Sequence, residues 1–398
     1  MNSRPTPAGR MPAFHPLKTH RLLAACAVAL CAFQIPTRLH AAGIQYTVTD
    51  LGLFGQVRGI ASGINASGQV VGYVAPGPRV RVYVNNYQGI VWTGPNPSAV
   101  SSLGGTDNVA LGINDSGQVT GYDRLPDVVD GTSHAVRVTG GTVVDLGTLG
   151  GTFSAGVAIN ASGQIAGYSN LPGNFAAHAV RWTGTTATDL GTLGGGSSYG
   201  YGINASGQVA GYSELPGSSV THAVRWTGTT ATDLGTLGGL YSNAYGINAS
   251  GQVVGTASIS DNSSSHAVRW TGTTPLDLGT LGEQGSVAYD INNLGDVLGE
   301  AYTYASNIVT YRPFLYTGGT MYDLMSLLVP GSDVTDIRID QNGGNSLNDS
   351  DQIAATGLVF GQRHIIRLTP VAVPEPSPAL LALGAGAMSV LRRGRRAG

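Results

Sequence analysis

The sequence predicts an all-β repeat protein, most economically a seven-bladed β-propeller. Three observations carry that expectation. Gly supplies 60 of the 398 residues without a collagen triplet period, which calls for many tight turns. One block recurs along most of the chain, and each block contains four short strand-like pieces.

The recurrence is plain when the chain is stacked on itself. Residues 185–228 read TTATDLGTLGGGSSYGYGINASGQVAGYSELPGSSVTHAVRWTG, and residues 229–272 read TTATDLGTLGGLYSNAYGINASGQVVGTASISDNSSSHAVRWTG. An Asn after Ile or Leu returns at Asn65, Asn114, Asn160, Asn204, Asn248, Asn292 and Asn348, with spacings of 49, 46, 44, 44, 44 and 56. A period of about 20–50 residues marks a solenoid, a propeller or an array.

Within residues 185–228 the four pieces are Thr186 to Leu190, Tyr199 to Ile203, Gln208 to Tyr212 and His222 to Thr227. Asn204-Ala205-Ser206-Gly207 joins the middle two and is turn chemistry, so they read as a hairpin. A second hairpin links successive units. In Val180-Arg181-Trp182-Thr183-Gly184-Thr185-Thr186-Ala187 the glycine suits a two-residue type II′ turn, which pairs Thr183 with Thr186 and Trp182 with Ala187. Alternation then places Val180 and Trp182 on one face and Arg181 on the other.

Four short strands cannot cover a Trp-bearing face alone, whereas seven sheets stacked about an axis cover one another. The two ends of the repeat region supply a closure. Gln45 to Leu51 matches the returning strand of the linking hairpin without its partner, and His364 to Leu368 matches the outgoing strand without its return. Pairing them closes a ring; a linear stack of sheets is the alternative.

Charge narrows the functional classes. Residues 1–42 carry five basic groups and no acid, and the last seven residues carry four arginines. Between them lie twelve arginines, no lysine and all 23 acidic residues, a net charge of −11. Such a body repels nucleic acid and anionic lipid, and no nucleic-acid partner is expected.

Both ends read as addresses. A basic stretch to Arg21, an apolar run from Leu22 to about Ile35 and small residues at Ala41 and Ala42 form the layout of a signal peptide over 1–42, with cleavage near those alanines. Leu23-Ala24-Ala25-Cys26 also fits a lipoprotein box, although most of the apolar run follows the cysteine. Cys26 and Cys31 are the two cysteines of the chain, so processing leaves no disulfide, thiol or Cys-held metal.

At the other end Val373-Pro374-Glu375-Pro376 precedes an apolar run from Ala379 to Leu391 and the arginines Arg392, Arg393, Arg395 and Arg396. The run is short of the roughly 20 residues of a full span, and the basic cluster favours a cytoplasmic end. This region, 371–398, resembles the PEP-CTERM sorting signal. The resemblance implies recognition by an exosortase and the export machinery, transient inner-membrane anchoring through a short hydrophobic helix, and release to the cell surface or exterior. A tail anchor behind a Pro-rich linker is the alternative.

The repeat domain, 43–370, resembles the HAF family of extracellular repeats through Asp-Leu-Gly, Gly-Ile-Asn, Gly-Gln-Val and a His-Ala pair. Here that pair is His-Ala-Val at His134, His178, His222 and His266, and Pro313-Phe314-Leu315 replaces it in the sixth unit. The resemblance implies no activity.

Several motifs mimic chemistry. Gly196-Ser197-Ser198-Tyr199-Gly200 fits a nucleophile elbow, but Ser154, Ser242 and Ser286 occupy the same place in other units without both flanking glycines. The repeated histidines match metal ligands in type, and the repeated Asp145, Asp189, Asp233 and Asp277 match acid/base groups. Copies in equal surroundings do not separate into acid and base, so the expected roles are structural, with the aspartates accepting N–H bonds in the Gly-rich loop that follows.

The irregular seventh unit gathers Asp333, Asp336, Asp340, Asn342, Asp349 and Asp351, oxygen ligands suited to Ca²⁺. No cofactor is otherwise expected. The first unit has an enlarged loop, Val80 to Gln88, with Tyr83 and Tyr87. With no catalytic set apparent, the expected function is that of a non-enzymatic surface or extracellular-matrix protein associated with exopolysaccharide. The alternatives are a glycan-binding propeller and a carbohydrate-active hydrolytic propeller using an acid outside the repeat, such as Asp340 or Asp349.

Overall fold

The computed structural model describes residues 43–372, apart from 57, 76–85, 95, 127–130, 307 and 341–344. The signal segment with Ala41 and Ala42, the sorting motif Val373, Pro374, Glu375 and Pro376, the C-terminal apolar run, Tyr83 and Asn342 lie outside the described residues. Within them the chain forms seven four-stranded antiparallel sheets, the blades of a β-propeller. Blade 1 spans 58–99, blade 2 108–145, blade 3 154–189, blade 4 198–233, blade 5 238–279 and blade 6 285–323. Blade 7 combines Val334–Arg338, Ile353–Val359 and Gln362–Ala372 with the first strand of the domain, Ile44–Gly52, as its outermost member.

Blade 4 shows the pattern: Ser198–Ile203, Val209–Glu214, Thr221–Thr227 and Thr230–Asp233, running from the axis outward. The second strand starts one residue later than expected because the Gln208 N–H is taken by Asn204 Oδ1. In blade 3 the linking hairpin pairs Thr183 with Thr186 and Trp182 with Ala187 as expected, and Gly184 takes the positive φ of 64° that a type II′ turn demands at its first central position.

The Trp-bearing face is covered by small residues of the preceding blade. Trp226, Val224 and Val209 of blade 4 pack on Ala158, Ala166 and Ala179 of blade 3, and Trp270, Val268 and Val253 pack on Ala210 and Ala223 of blade 4. Trp92, Trp182, Trp226 and Trp270 are all essentially inaccessible. Each buried indole removes about 200 Å² from water, roughly 5 kcal/mol of gross stabilisation before ordering entropy is subtracted. The joint between blades 7 and 1 is built the same way: Trp92, Ile90 and Val70 pack on Ala354 and Ile365. The ring is therefore closed, and the linear stack is set aside.

Six innermost strands share a β-bulge at the same repeat position, and that of blade 5 has a second irregularity between Gly238 and Ser242. In blade 4 Gly200 pairs with Gly211 and Gly202 with Ala210, leaving Tyr201 unpaired between them; the counterparts are Ser62, Leu111, Val157, Tyr245 and Tyr289. A bulge turns one side chain out of the alternation. It also presses the inner strand against its neighbour, so that a Cβ on Gly211 would fall 1.8 Å from the Tyr199 carbonyl oxygen. That contact explains the glycine of each Gln-Val-x-Gly segment by space alone.

Candidate functional site

The polar groups that the repeat multiplies are spent on joints between strands and blades. Ser198 accepts the Ala179 N–H of blade 3 at 2.9 Å and donates to the Gly191 carbonyl at 2.7 Å. Ser154, Ser242 and Ser286 do the same. A buried hydroxyl committed in both directions, at the start of an inner strand, is a splice rather than a nucleophile.

The histidines clasp the aspartates. His178 Nδ1 lies 2.9 Å from the Asp189 carboxylate across the third and outermost strands, and His134, His222 and His266 meet Asp145, Asp233 and Asp277 alike. Each aspartate also accepts the N–H of the Gly two residues on, as Asp189 does from Gly191 at 2.8 Å. In blade 6 the register shifts the sequence alignment by one: Phe314, not Leu315, stands at the Val of His-Ala-Val, and Arg312 takes the histidine position and pairs with Asp323 at 2.7 Å.

The seven asparagines form a closed hydrogen-bonded circle at one end of the axis. Each Nδ2 donates to the backbone carbonyl of the next asparagine, from Asn65 to Asn114 at 3.1 Å round to Asn348, which returns to Asn65 at 2.9 Å. Each side-chain carbonyl meanwhile accepts the N–H four residues on, as Asn160 does from Gln164. The circle is both a turn-former and a ring lock.

The acids of the seventh unit are dispersed. Asp333 is exposed, Asp336 pairs with Arg363, and Asp340 accepts from Ser62 Oγ at 3.0 Å. Asp349 accepts the Asn293 N–H and Nδ2, and Asp351 accepts from Asn292 Nδ2 while holding φ at 57° in the place other units give to glycine. Among the described residues no three His, Cys, Asp or Glu side chains group as a metal site.

A second concave surface, besides the depression at the asparagine circle, lies at the opposite end of the blades, where the repeat is broken in blade 6. There the second and third strands, Val297–Ala305 and Ile308–Thr317, run to nine and ten residues where blade 4 has six and seven. With the bulged Tyr245 and Tyr289 they enclose a cleft of about 450 Å³ lined by Tyr245, Val287, Tyr289, Tyr302, Tyr304, Val309 and Tyr311. Tyr87 of the enlarged first-unit loop packs in the same axial aromatic belt, edge-on to Tyr73 at 5.2 Å.

The cleft is braced and has a charged backing. Glu283 accepts from Thr303 Oγ1 and from Arg312, and Gln284 Oε1 accepts the Tyr304 N–H at 2.7 Å, tying the long hairpin to the loop that leads into blade 6. Arg338 lies over the Tyr311 ring at 3.6 Å and donates to Glu300 Oε1 at 3.1 Å. Glu300 is fully buried, and its Oε2 has no hydrogen-bond partner among the described residues. Burial raises the Glu300 pKa against the pull of Arg338. It also lifts the phenols, Tyr245 to about 12 and Tyr289 well up, the latter helped by the Glu300 charge. Both stay neutral donors at ordinary pH.

None of these cleft residues stood out in the sequence. The available signal was the 56-residue interval from Asn292 to Asn348, which holds the lengthened hairpin and its alternating tyrosines.

The arrangement defines a seven-bladed propeller closed by its first strand. No protein-family model and no curated protein matches the chain. Among solved structures it is similar to a gluconolactonase from Xanthomonas campestris, at 10% identity and TM-score 0.40 over 81% of this chain and 89% of that one. It is also similar to the β-propeller domain of the trilobed protease from Pyrococcus furiosus, at 10% identity and TM-score 0.36 over 67% and 98% of the two chains. An acylaminoacyl peptidase from Pyrococcus horikoshii aligns at 13% identity and TM-score 0.43 over 70% of this chain and 47% of that one.

Proposed function

We propose that this chain is a non-enzymatic exported protein of the cell surface or extracellular matrix, of the HAF-repeat type, delivered through a PEP-CTERM signal and residing among exopolysaccharide. The observation that supports the reading is the commitment of the repeated Ser, His, Asp and Asn side chains to joints, as in the Ala179–Ser198–Gly191 splice. Reactive groups used in this way leave the repeat without an acid/base pair in unequal surroundings. The sorting half of the reading is tested by replacing Glu375 with Ala. The variant should stay membrane-bound at the mass of the unprocessed tail, and release at the wild-type mass would remove the exosortase from the proposal.

A second reading, glycan binding, is favoured by the tyrosine-lined cleft of blade 6. It is compatible with the first, because a matrix protein needs a surface that holds the matrix. A hydrolytic propeller would require Asp340 or Asp349 to leave its present partner, Ser62 or Asn293.

A further inference from the structure

We infer that the cleft between the blade 6 hairpin and the axial tyrosines is a binding site for an uncharged saccharide, with Tyr304 and Tyr311 as stacking walls. Along the strand Val297–Ala305, residues Glu300, Tyr302 and Tyr304 fall on one face by simple alternation. Glu300 is paired across the sheet with Val287, and Tyr304 with Val309, both of which line the cleft. The buried carboxylate therefore sits on the same face as the aromatic walls, at the inner end of the row. Tyr304 at the outer end is 54% exposed.

Three features select the ligand class. The cleft volume of about 450 Å³ falls within the ~300–1,000 Å³ of small-ligand sites. Tyrosine rings offer flat apolar faces to the C–H face of a sugar ring and phenol groups to its hydroxyls. A Pro-rich peptide would also lie on such rings, but prolines bring no N–H to the phenol oxygens. The acidic body, at −11 between the two basic ends, disfavours anionic glycans. The bracing of the hairpin by Glu283 and Gln284 holds the walls apart before a ligand arrives, which lowers the ordering cost on binding.

This inference deepens the matrix reading by naming the chemistry of its partner, yet its test does not depend on export. The purified full chain would be titrated calorimetrically with uncharged hexasaccharides having β-1,4-glucan, β-1,3-glucan, α-1,4-glucan and β-1,4-mannan backbones, and with the peptide VAVPEPSPA copied from residues 371–379. At least one saccharide should bind with a Kd below about 1 mM. Tyr304→Ala and Tyr311→Ala should each weaken it tenfold or more, and Tyr304→Phe by less than threefold. Leu240→Ala, an exposed residue on the first strand of blade 5, should change nothing. Silence of every saccharide, affinity that survives both tyrosine changes, or binding of the peptide alone would each overturn the site while leaving sorting by Glu375 to stand or fall separately.

Discussion

His364 Nδ1 lies 2.9 Å from the carboxylate of Asp50, a residue 314 positions earlier in the chain. The contact is the same clasp that joins His178 to Asp189 inside blade 3. It is supported by eight paired positions between Ile44–Gly52 and Gln362–Ala372 and by the Trp92 Nε1 bond to the Leu51 carbonyl at 2.8 Å. The first strand thus supplies to blade 7 what the preceding hairpin supplies to every other blade. Because the Asp50 carboxylate is about two-fifths exposed, the clasp itself is a modest contributor. Asp50→Ala should lower stability by about 1–2 kcal/mol, read as a lower urea midpoint with an unchanged slope. Asp189→Ala should do the same to within about 0.5 kcal/mol, since the partners and surroundings are copies. A much larger loss at Asp50 alone would mean that the closure is the weak point of the ring.

The asparagine circle should be more costly to break. Asn160 donates to the Asn204 carbonyl at 3.0 Å and accepts from Ser162 and Gln164, all in buried or half-buried surroundings. Asn160→Ala leaves several groups unpaired at once, at about 1–3 kcal/mol for each that water cannot reach. The expected loss is about 3 kcal/mol. Asn160→Asp keeps the acceptor side of the turn but sets a carboxylate oxygen against the Asn204 carbonyl. It should therefore be milder at pH 4 than at pH 7, a difference that denaturation at the two pH values would show.

Ser198 offers a test of the splice against the nucleophile. Ser198→Ala should cost about 2 kcal/mol, because the Ala179 N–H and the Gly191 carbonyl both lose their partner. Ser154→Ala and Ser242→Ala should cost the same within experimental error. Should Ser198→Ala prove silent for stability while its counterparts are not, the hydroxyl of blade 4 has a different task, and the elbow motif returns to consideration.

The regular part of the molecule was legible because repetition over-determines it. The pairing of Thr183 with Thr186, the covered Trp182, and the closure by Gln45 to Leu51 all follow from period, alternation and turn chemistry applied to copies that cannot each be exceptions. What alternation could not show is the bulge. Tyr201, Tyr245 and Tyr289 stand one step out of the two-residue rhythm, so their shared direction toward the axis is hidden in the sequence, and with it the inner wall of the cleft. Glu300 was equally silent, since its meaning comes from Arg338 and Ile339, 38 and 39 positions away. The acidic seventh unit was illegible for another reason. Its carboxylates are close in sequence, but Asp336 and Asp340 bind Arg363 and Ser62 while Asp349 and Asp351 bind the loop of blade 6, so proximity in the chain did not become convergence in space.

A last prediction concerns pH. Asp290 is fully buried beneath the seventh unit, where its two oxygens accept the Ile291 and Leu347 N–H groups at 2.8 Å each. Burial outweighs those bonds and raises its pKa from 3.8 to about 7. The sign follows from proton linkage. Between about pH 4 and pH 7 the folded chain holds a proton at this site that the unfolded chain has released, so the stability from this group is complete at low pH and is lost as pH rises toward 7. Above that the loss is constant. Asp290→Asn never ionises, but it presents one N–H bond donor where an acceptor is needed. At pH 5 it should therefore be the less stable protein, by about 2 kcal/mol. By pH 8 the gap should close or reverse, because only the wild type then carries a buried charge. Urea denaturation of both proteins at the two pH values measures the difference directly, and parallel pH profiles would show that the carboxylate of Asp290 ionises without hindrance in the folded ring.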